Sequence, residues 1–96
     1  MTPEGRVKAA IKRVLKSYGC WWYMPVPGGF GEPTLDFICA VGGRIFCIEA
    51  KAPGKKPTPR QQETMRRYEE KGVPCIVIDG DTGPLVELIT NLDWSE

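Results

Sequence analysis

The chain has 96 residues, of which 42% are hydrophobic and 26% are charged, and its formal net charge is +1. This composition is typical of one soluble globular domain rather than a disordered chain, and oligomerisation is a common source of extra stability at this size. The sequence contains no histidine, which excludes His-metal nucleases, Ser-His and Cys-His triads and most zinc hydrolases. Any hydrolytic chemistry must therefore rest on carboxylates and lysine, with a hard cation bound by oxygen ligands.

The sequence shows neither an apolar targeting segment nor a paired-cysteine motif. No apolar run approaches the roughly 18 residues that span a bilayer, and the basic N-terminus has no apolar signal core, so we expect no membrane association. Four cysteines stand singly, without a C-x-x-C pair: Cys20, Cys39, Cys47 and Cys75. We expect buried thiols in a reducing cytosol, and neither a disulfide framework nor a zinc knuckle.

The first predicted element is a helix that begins at Thr2-Pro3, with Thr2 as the N-cap and Pro3 at the first helical position. Apolar residues follow at helical spacing as far as Tyr18, and Gly19 ends the helix. Glu4 lies on the apolar stripe, which is unusual for an acid. A role in a site and a solvated position favoured by the helix dipole both remain open for it.

Residues 20–24 are aromatic and strand-like, and residues 25–33 form a loop rich in proline and glycine. The aromatic run has two interpretations: its rings stack on exposed bases, or it divides between the core and a dimer interface. Residues 36–41 and 44–50 are apolar runs separated by two glycines, which predicts a hairpin. Both runs are apolar on both faces, so we expect a sheet that is covered on each side.

The second half of the chain predicts a helix, a strand and a short helix. Thr58-Pro59 repeats the cap-and-proline start, and this helix runs to Lys71 before Gly72. A third core strand covers residues 74–79, and Pro84 opens a short helix. The order of helix, three strands, helix, strand and short helix implies a mixed sheet with helices packed on it.

The hairpin carries the main chemical argument. A two-residue turn at Gly42-Gly43 places Asp36 directly opposite Glu49, with their Cβ atoms roughly 5 Å apart on one sheet face. Facing carboxylates repel each other, and a bound divalent cation removes that objection. Because side chains alternate along a strand, Lys51 shares this face. Such a group suits phosphodiester hydrolysis, although a surface ion-pair cluster is the alternative and a one-residue slip in register would separate the acids.

Gln61 is a further candidate. It lies one turn before Met65 on the face of its helix that Met65 and Tyr68 mark as buried, whereas Gln62 is rotated away. An inward glutamine near a helix end could hold a water or a phosphate, and the alternative is a polar side chain bonded to nearby backbone.

Taken together, these motifs resemble the VRR-NUC family (virus-type replication-repair nucleases) of the PD-(D/E)XK nuclease superfamily. The resemblance spans roughly residues 2–80 and lies in Glu4, Gly31-x-Pro33 leading to Asp36, Glu49-Ala50-Lys51, and Thr58-Pro59-Arg60-Gln61. In many relatives the proline directly precedes the aspartate, whereas Thr34-Leu35 intervene here. This departure concerns the loop geometry more than Asp36, which the hairpin register selects independently.

The resemblance implies one VRR-NUC nuclease domain over residues 1–96, with a restriction-endonuclease-like core of a mixed β-sheet flanked by helices in αβββαβ order, and a short C-terminal helix. It also implies that Asp36 and Glu49 bind Mg²⁺ or Mn²⁺, that Lys51 is the catalytic lysine, and that Glu4 and Gln61 support them.

Small members of this family are typical of bacteriophages, form homodimers and cleave branched DNA such as four-way (Holliday) junctions. The resemblance therefore implies a phage-encoded protein in the cytoplasm of a bacterial host. Three alternatives remain: a nuclease for flaps or other DNA structures, a non-catalytic nucleic-acid-binding module, and a small interaction protein.

Overall fold

The computed structural model describes residues 1–26 and 34–92, so the Gly31-x-Pro33 stretch and most of the predicted loop lie outside the described residues. The elements are, in chain order, α1 (Pro3–Ser17), β1 (Trp21–Tyr23), β2 (Phe37–Val41), β3 (Arg44–Ala50), α2 (Pro59–Glu70), β4 (Cys75–Ile78) and α3 (Gly83–Asn91). The predicted αβββαβ order with a short C-terminal helix is confirmed. No helix in the two described ranges is long and apolar enough to cross a membrane.

The four strands form one mixed sheet in the order β1-β2-β3-β4, in which β1, β2 and β3 are antiparallel and β4 runs parallel to β3. Gly42 and Gly43 have φ values of 56° and 78°, which the two-residue hairpin turn requires and which glycine adopts without steric cost. The ladder of β2 and β3 pairs Phe37 with Ile48. Continued by one residue, the same register brings Asp36 opposite Glu49, as predicted.

One face of the sheet forms the hydrophobic core with α1 and α3. Thr2 caps α1 by accepting a hydrogen bond from the Gly5 N–H at 3.0 Å, so this helix begins where the sequence predicts. The core buries apolar side chains from both helices and the central strands, including Ile11, Leu15, Phe37, Phe46, Ile48, Leu85 and Ile89. Removing this apolar surface from water is the main force that fixes α1 against the sheet.

On the opposite face of the sheet, α2 packs over β4 and reaches Glu49 at the end of β3. Met65 and Tyr68 lie on the inward face of α2 with Gln61, as expected, although both are half-buried and Thr64 is the fully buried residue of that face. Thr64 tolerates burial because its hydroxyl donates to the Arg60 carbonyl at 3.0 Å. The sulfur of Cys75 lies 3.8 Å from the Met65 carbonyl oxygen, which places the middle of α2 over β4.

The other half of this face carries side chains that are open to solvent. Trp21 and Tyr23 on β1 and Ile45 on β3 are exposed, whereas Trp22, which points to the opposite face, packs on the core. The expectation of a hairpin covered on each side was therefore wrong for this half, because α2 lies over β4. All four cysteines are free thiols, and three are buried as expected while Cys75 is half-buried.

Candidate active site

Two carboxylates meet across the hairpin at the end of the sheet. Asp36 immediately precedes β2, and Glu49 is the penultimate residue of β3. The Asp36 N–H donates to Glu49 Oε1 at 3.3 Å, and the Ala50 N–H donates to Asp36 Oδ2 at 2.9 Å. These cross-strand bonds fix both carboxylates beside each other. We call this pair the acid row.

Glu49 is the most enclosed charged group of the site, with 3% of its surface exposed. Its Oε2 accepts a hydrogen bond from Gln61 Nε2 at 2.8 Å and lies 3.6 Å from the Lys51 ammonium. Lys51 therefore shares the face of Glu49, as its position two residues later predicts. The structure brings Asp36, Glu49, Lys51 and Gln61 together in one cluster.

The electrostatics of the acid row are unbalanced. Burial raises the pKa of the Glu49 carboxyl, the facing charge of Asp36 raises it further, and the Lys51 ammonium only partly opposes them, so that the pKa reaches about 7. A carboxyl group of this kind exchanges its proton near neutral pH. The positive charge of Lys51 is therefore not enough to keep the pKa of Glu49 at its ordinary value.

Gln61 is oriented from both ends of its amide. Its backbone N–H donates to Thr58 Oγ1 at 3.2 Å, and the Thr58 N–H donates to Gln61 Oε1 at 2.9 Å, which completes a capping box at the start of α2. With the amide oxygen held by backbone, the amide nitrogen is left to face Glu49. The bond to nearby backbone is thus confirmed, and Gln61 also reaches the acid row, whereas a water or phosphate held by its amide stays a prediction.

Glu4 joins the site through a residue that the sequence analysis did not single out. The Lys8 ammonium lies 3.2 Å from Glu4 Oε2 and 3.8 Å from Asp36 Oδ1. Partial burial opposes the shift, but the hydrogen bond to Glu4 and the charge of Asp36 raise the pKa of Lys8 above its usual value. The spacing of four residues between Glu4 and Lys8 was the available signal, because such pairs are neighbours on a helix.

The residues of the acid row fit a hard divalent cation. Within residues 1–26 and 34–92, no three His, Cys, Asp or Glu side chains group into a metal-binding cluster. Mg²⁺ sites in enzymes that act on phosphates use one or two carboxylates and complete the coordination with water and substrate oxygens. Asp36 and Glu49 supply such a pair, and a cation between them would remove the repulsion that burial has strengthened.

Comparisons with known proteins indicate a nuclease. No protein-family model matches the chain. It is 35% identical over 72 residues to "Putative nuclease p44" of Acyrthosiphon pisum secondary endosymbiont phage 1, and the alignment covers 75% of this chain and 76% of that protein. A solved structure described as a VRR_NUC domain matches with a TM-score of 0.77 at 24% sequence identity, over 97% of this chain and 100% of the other.

The fold is that of a restriction-endonuclease-like domain, in which a mixed four-stranded sheet is flanked by helices. With the fold and the phage relative together, the chain belongs to the VRR-NUC nuclease family as a small phage-type member. The resemblance read from the sequence is confirmed at this level.

Proposed function

We propose that this protein is a divalent-metal-dependent endonuclease that hydrolyses phosphodiester bonds in branched DNA, with four-way (Holliday) junctions as its main substrate. The observation that carries the proposal is the acid row with the Lys51 ammonium 3.6 Å from Glu49. The nuclease relative and the family support the reaction class. Two carboxylates that face each other destabilise a sheet. In phosphodiester hydrolysis the two carboxylates would bind the metal, and the amine would stabilise negative charge.

Asp36 and Glu49 would hold Mg²⁺ or Mn²⁺, which when bound polarises the scissile phosphate and lowers the pKa of a water molecule. The chain prepares these ligands, because the Ala50 N–H fixes Asp36 and the Asp36 N–H fixes Glu49. Lys51 is a small cationic donor beside Glu49. It orients the attacking water and stabilises the negative charge that develops on the phosphate oxygens.

Three further side chains act as positioning residues in this proposal. Gln61 holds Glu49 Oε2 and links it to the start of α2. Lys8 places a positive charge beside Asp36, and Glu4 holds the Lys8 ammonium from the other side. Their common effect is to keep the carboxylates in place in a site where like charges repel each other.

A homodimer fits a branched substrate. A two-fold dimer presents two equivalent acid rows, which suits paired cuts on a symmetric junction. Basic residues in segments 1–18 and 51–60 would meet DNA phosphates near the sites, so that binding weakens as salt rises. We place this activity in the cytoplasm of a bacterial host, as expected for a phage-encoded nuclease.

The test is a cleavage panel of labelled junction, flap, single-stranded and linear duplex DNA with Mg²⁺, Mn²⁺ or EDTA. We expect metal-dependent cleavage of the junction, none in EDTA, and loss of cleavage with retained junction binding for Asp36→Ala. If the protein cuts flaps in preference to junctions, flap DNA is its main substrate instead of the four-way junction. Salt-sensitive binding without cleavage would identify a non-catalytic module, and absence of any DNA affinity an interaction protein. Sedimentation of the free protein tests the dimer.

A further inference from the structure

One half of the sheet face that carries the acid row is open to solvent. We call this half the open face and define it by Trp21, Tyr23, Ile38, Ala40 and Ile45. Trp21, Tyr23 and Ile45 are 61%, 53% and 46% exposed. Ile38 and Ala40 are half-buried between them. Large apolar side chains with this exposure on β1 and β3, with β2 between them, form a surface that is suited to binding.

The strand register connects the open face to the acid row. Trp21 pairs with Ala40, which pairs with Ile45, and Tyr23 pairs with Ile38 in the neighbouring row of side chains. Asp36, which immediately precedes β2, lies two residues before Ile38 and is therefore the next side chain on this face. Side chains on one face repeat every two residues, or about 7 Å. Tyr23 is thus one row from the acids and Trp21 is two rows from them.

We propose that the open face binds unpaired bases of the DNA strand that is cut, with Tyr23 and Trp21 as successive stacking platforms. The inference rests on the proposed function in one respect, namely that the bound strand is the one whose phosphate lies at the acid row. It specifies that the nucleotides beside the scissile bond are unpaired on the protein, as they are at a flap or where base pairs open at the centre of a four-way junction. Paired bases are already stacked on their neighbours and offer no free ring face.

The chemistry of the open face favours bases over a second copy of this chain. Its three exposed side chains present on the order of 300 Å². A stable interface needs about 800 Å² from each partner. Two unpaired bases match the smaller area. Aromatic rings on a sheet surface are also the usual way in which proteins bind unpaired bases without regard to sequence.

The distribution of charge around the open face also favours a DNA strand with unpaired bases. The five side chains of the open face are uncharged, so they do not repel a polyanion. The ammonium groups of Lys8 and Lys51 stand at the acid row, where the backbone of a bound strand would arrive. A strand that lies across this face therefore meets rings along its bases and cations at the phosphate to be cut.

The experiment measures fluorescence anisotropy in EDTA, so that binding is separated from cleavage. Two labelled probes share one duplex, and one of them carries a single-stranded thymidine tail. We expect Trp21→Ala and Tyr23→Ala each to weaken binding of the tailed probe about tenfold, with the blunt probe changed less than about twofold. The salt dependence of binding should stay the same, because no cation is removed. Trp21→Phe should retain most of the affinity.

Tyr18→Ala is the matched control, because this exposed ring caps α1 and is not part of the sheet face. Equal losses on both probes, or no loss on the tailed one, would overturn the proposal. So would sedimentation showing that Trp21→Ala turns a dimer into monomers, since the face would then join two copies. If wild-type protein cleaves junctions but Trp21→Ala and Tyr23→Ala bind the tailed probe as well as wild type does, this inference is refuted and the proposed function stands. Tail binding that depends on the rings, without cleavage in Mg²⁺ or Mn²⁺, would refute the proposed function instead.

Discussion

Two groups of charged side chains lie at α2, and they shift the pKa of a glutamate in opposite directions. On the exposed side of the helix, Glu63 accepts hydrogen bonds from Arg66 Nε at 2.9 Å and from Arg67 Nε at 3.3 Å. The bond from Arg66 is the main reason that the pKa of Glu63 falls to about 2. At the start of the same helix, Gln61 bonds to Glu49, whose burial raises its pKa to about 7.

The difference separates a solvated surface network from a site. Each acid of the surface network faces arginine and water, and exposed pairs of this kind contribute little to stability. In the acid row a carboxylate faces another carboxylate, with Lys51 and Lys8 as partial compensation. Charged groups that the folded chain does not balance by itself are typical of functional sites. The predictions below test this contrast.

The largest effect is expected from Lys51→Ala, which should lower the rate of junction cleavage by about 100-fold or more, because the charge beside the reacting water is lost. Single-turnover cleavage with Mn²⁺ is the measurement. Lys71→Ala is the control, since Lys71 is an exposed C-cap about 15 Å along α2 from Gln61 and should leave the rate unchanged. Full activity in Lys51→Ala would remove this residue from the mechanism.

A smaller effect is expected from Gln61→Ala. Loss of the bond to Glu49 Oε2 should slow cleavage about tenfold at limiting Mn²⁺ and raise the Mn²⁺ concentration for half-maximal rate, because an outer partner of a ligand tunes metal affinity. Thr58→Ala removes the cap but keeps the Gln61 amide, so its metal dependence should match wild type while stability falls by about 1 kcal/mol. If the cleavage rate depends on the Mn²⁺ concentration in the same way in both variants, Gln61 acts only in capping α2.

Glu49→Gln should remove a pH-dependent loss of stability from the metal-free protein. The pKa of Glu49 is about 7 in the folded chain, against an ordinary 4.5, so the folded chain loses stability as the pH rises between these values. The amide does not ionise, so between pH 5 and pH 8 the variant should gain about 2 kcal/mol relative to wild type, or on the order of 10 °C in melting temperature. Because both oxygens of Glu49 accept hydrogen bonds and an amide has one oxygen, the two proteins are compared at both pH values. Calorimetric melting in EDTA is the measurement, and a difference between the proteins that does not change with pH would contradict the assignment.

The smallest effect is expected from the same substitution in the surface network. Glu63→Gln should leave the cleavage rate and the melting temperature nearly unchanged at pH 8, because the arginines regain water when the acid is neutralised. Measured beside Glu49→Gln, it is the matched control for replacing a glutamate. A shift as large as that of Glu49→Gln would erase the contrast between the two regions.

The geometry of the acid row was predictable because it depends on local rules. Gly42 and Gly43 set a two-residue turn, the turn sets the register, and the register places Asp36 opposite Glu49. Alternation along the strand then places Lys51. None of these steps requires knowledge of how the helices pack on the sheet, so the sequence was sufficient for them.

The remaining features depend on how helices sit on the sheet, which no local pattern fixes. Lys8 reaches Asp36 because α1, which packs on the opposite face, brings this side chain to the end of the sheet where Asp36 lies. Likewise, the position of α2 over β4 leaves Ile45 exposed, where apolar residues on both faces of the hairpin predicted cover on each side.

The most direct test of the account is calorimetric titration of Mn²⁺ into the metal-free protein and its Asp36→Asn variant. We predict saturable binding by the wild type, with proton release at pH 7 as Glu49 becomes a carboxylate ligand, and loss of that binding in the variant. Equal binding by both proteins would contradict the account. So would an absence of Mg²⁺ and Mn²⁺ binding by the wild type, with DNA present or absent.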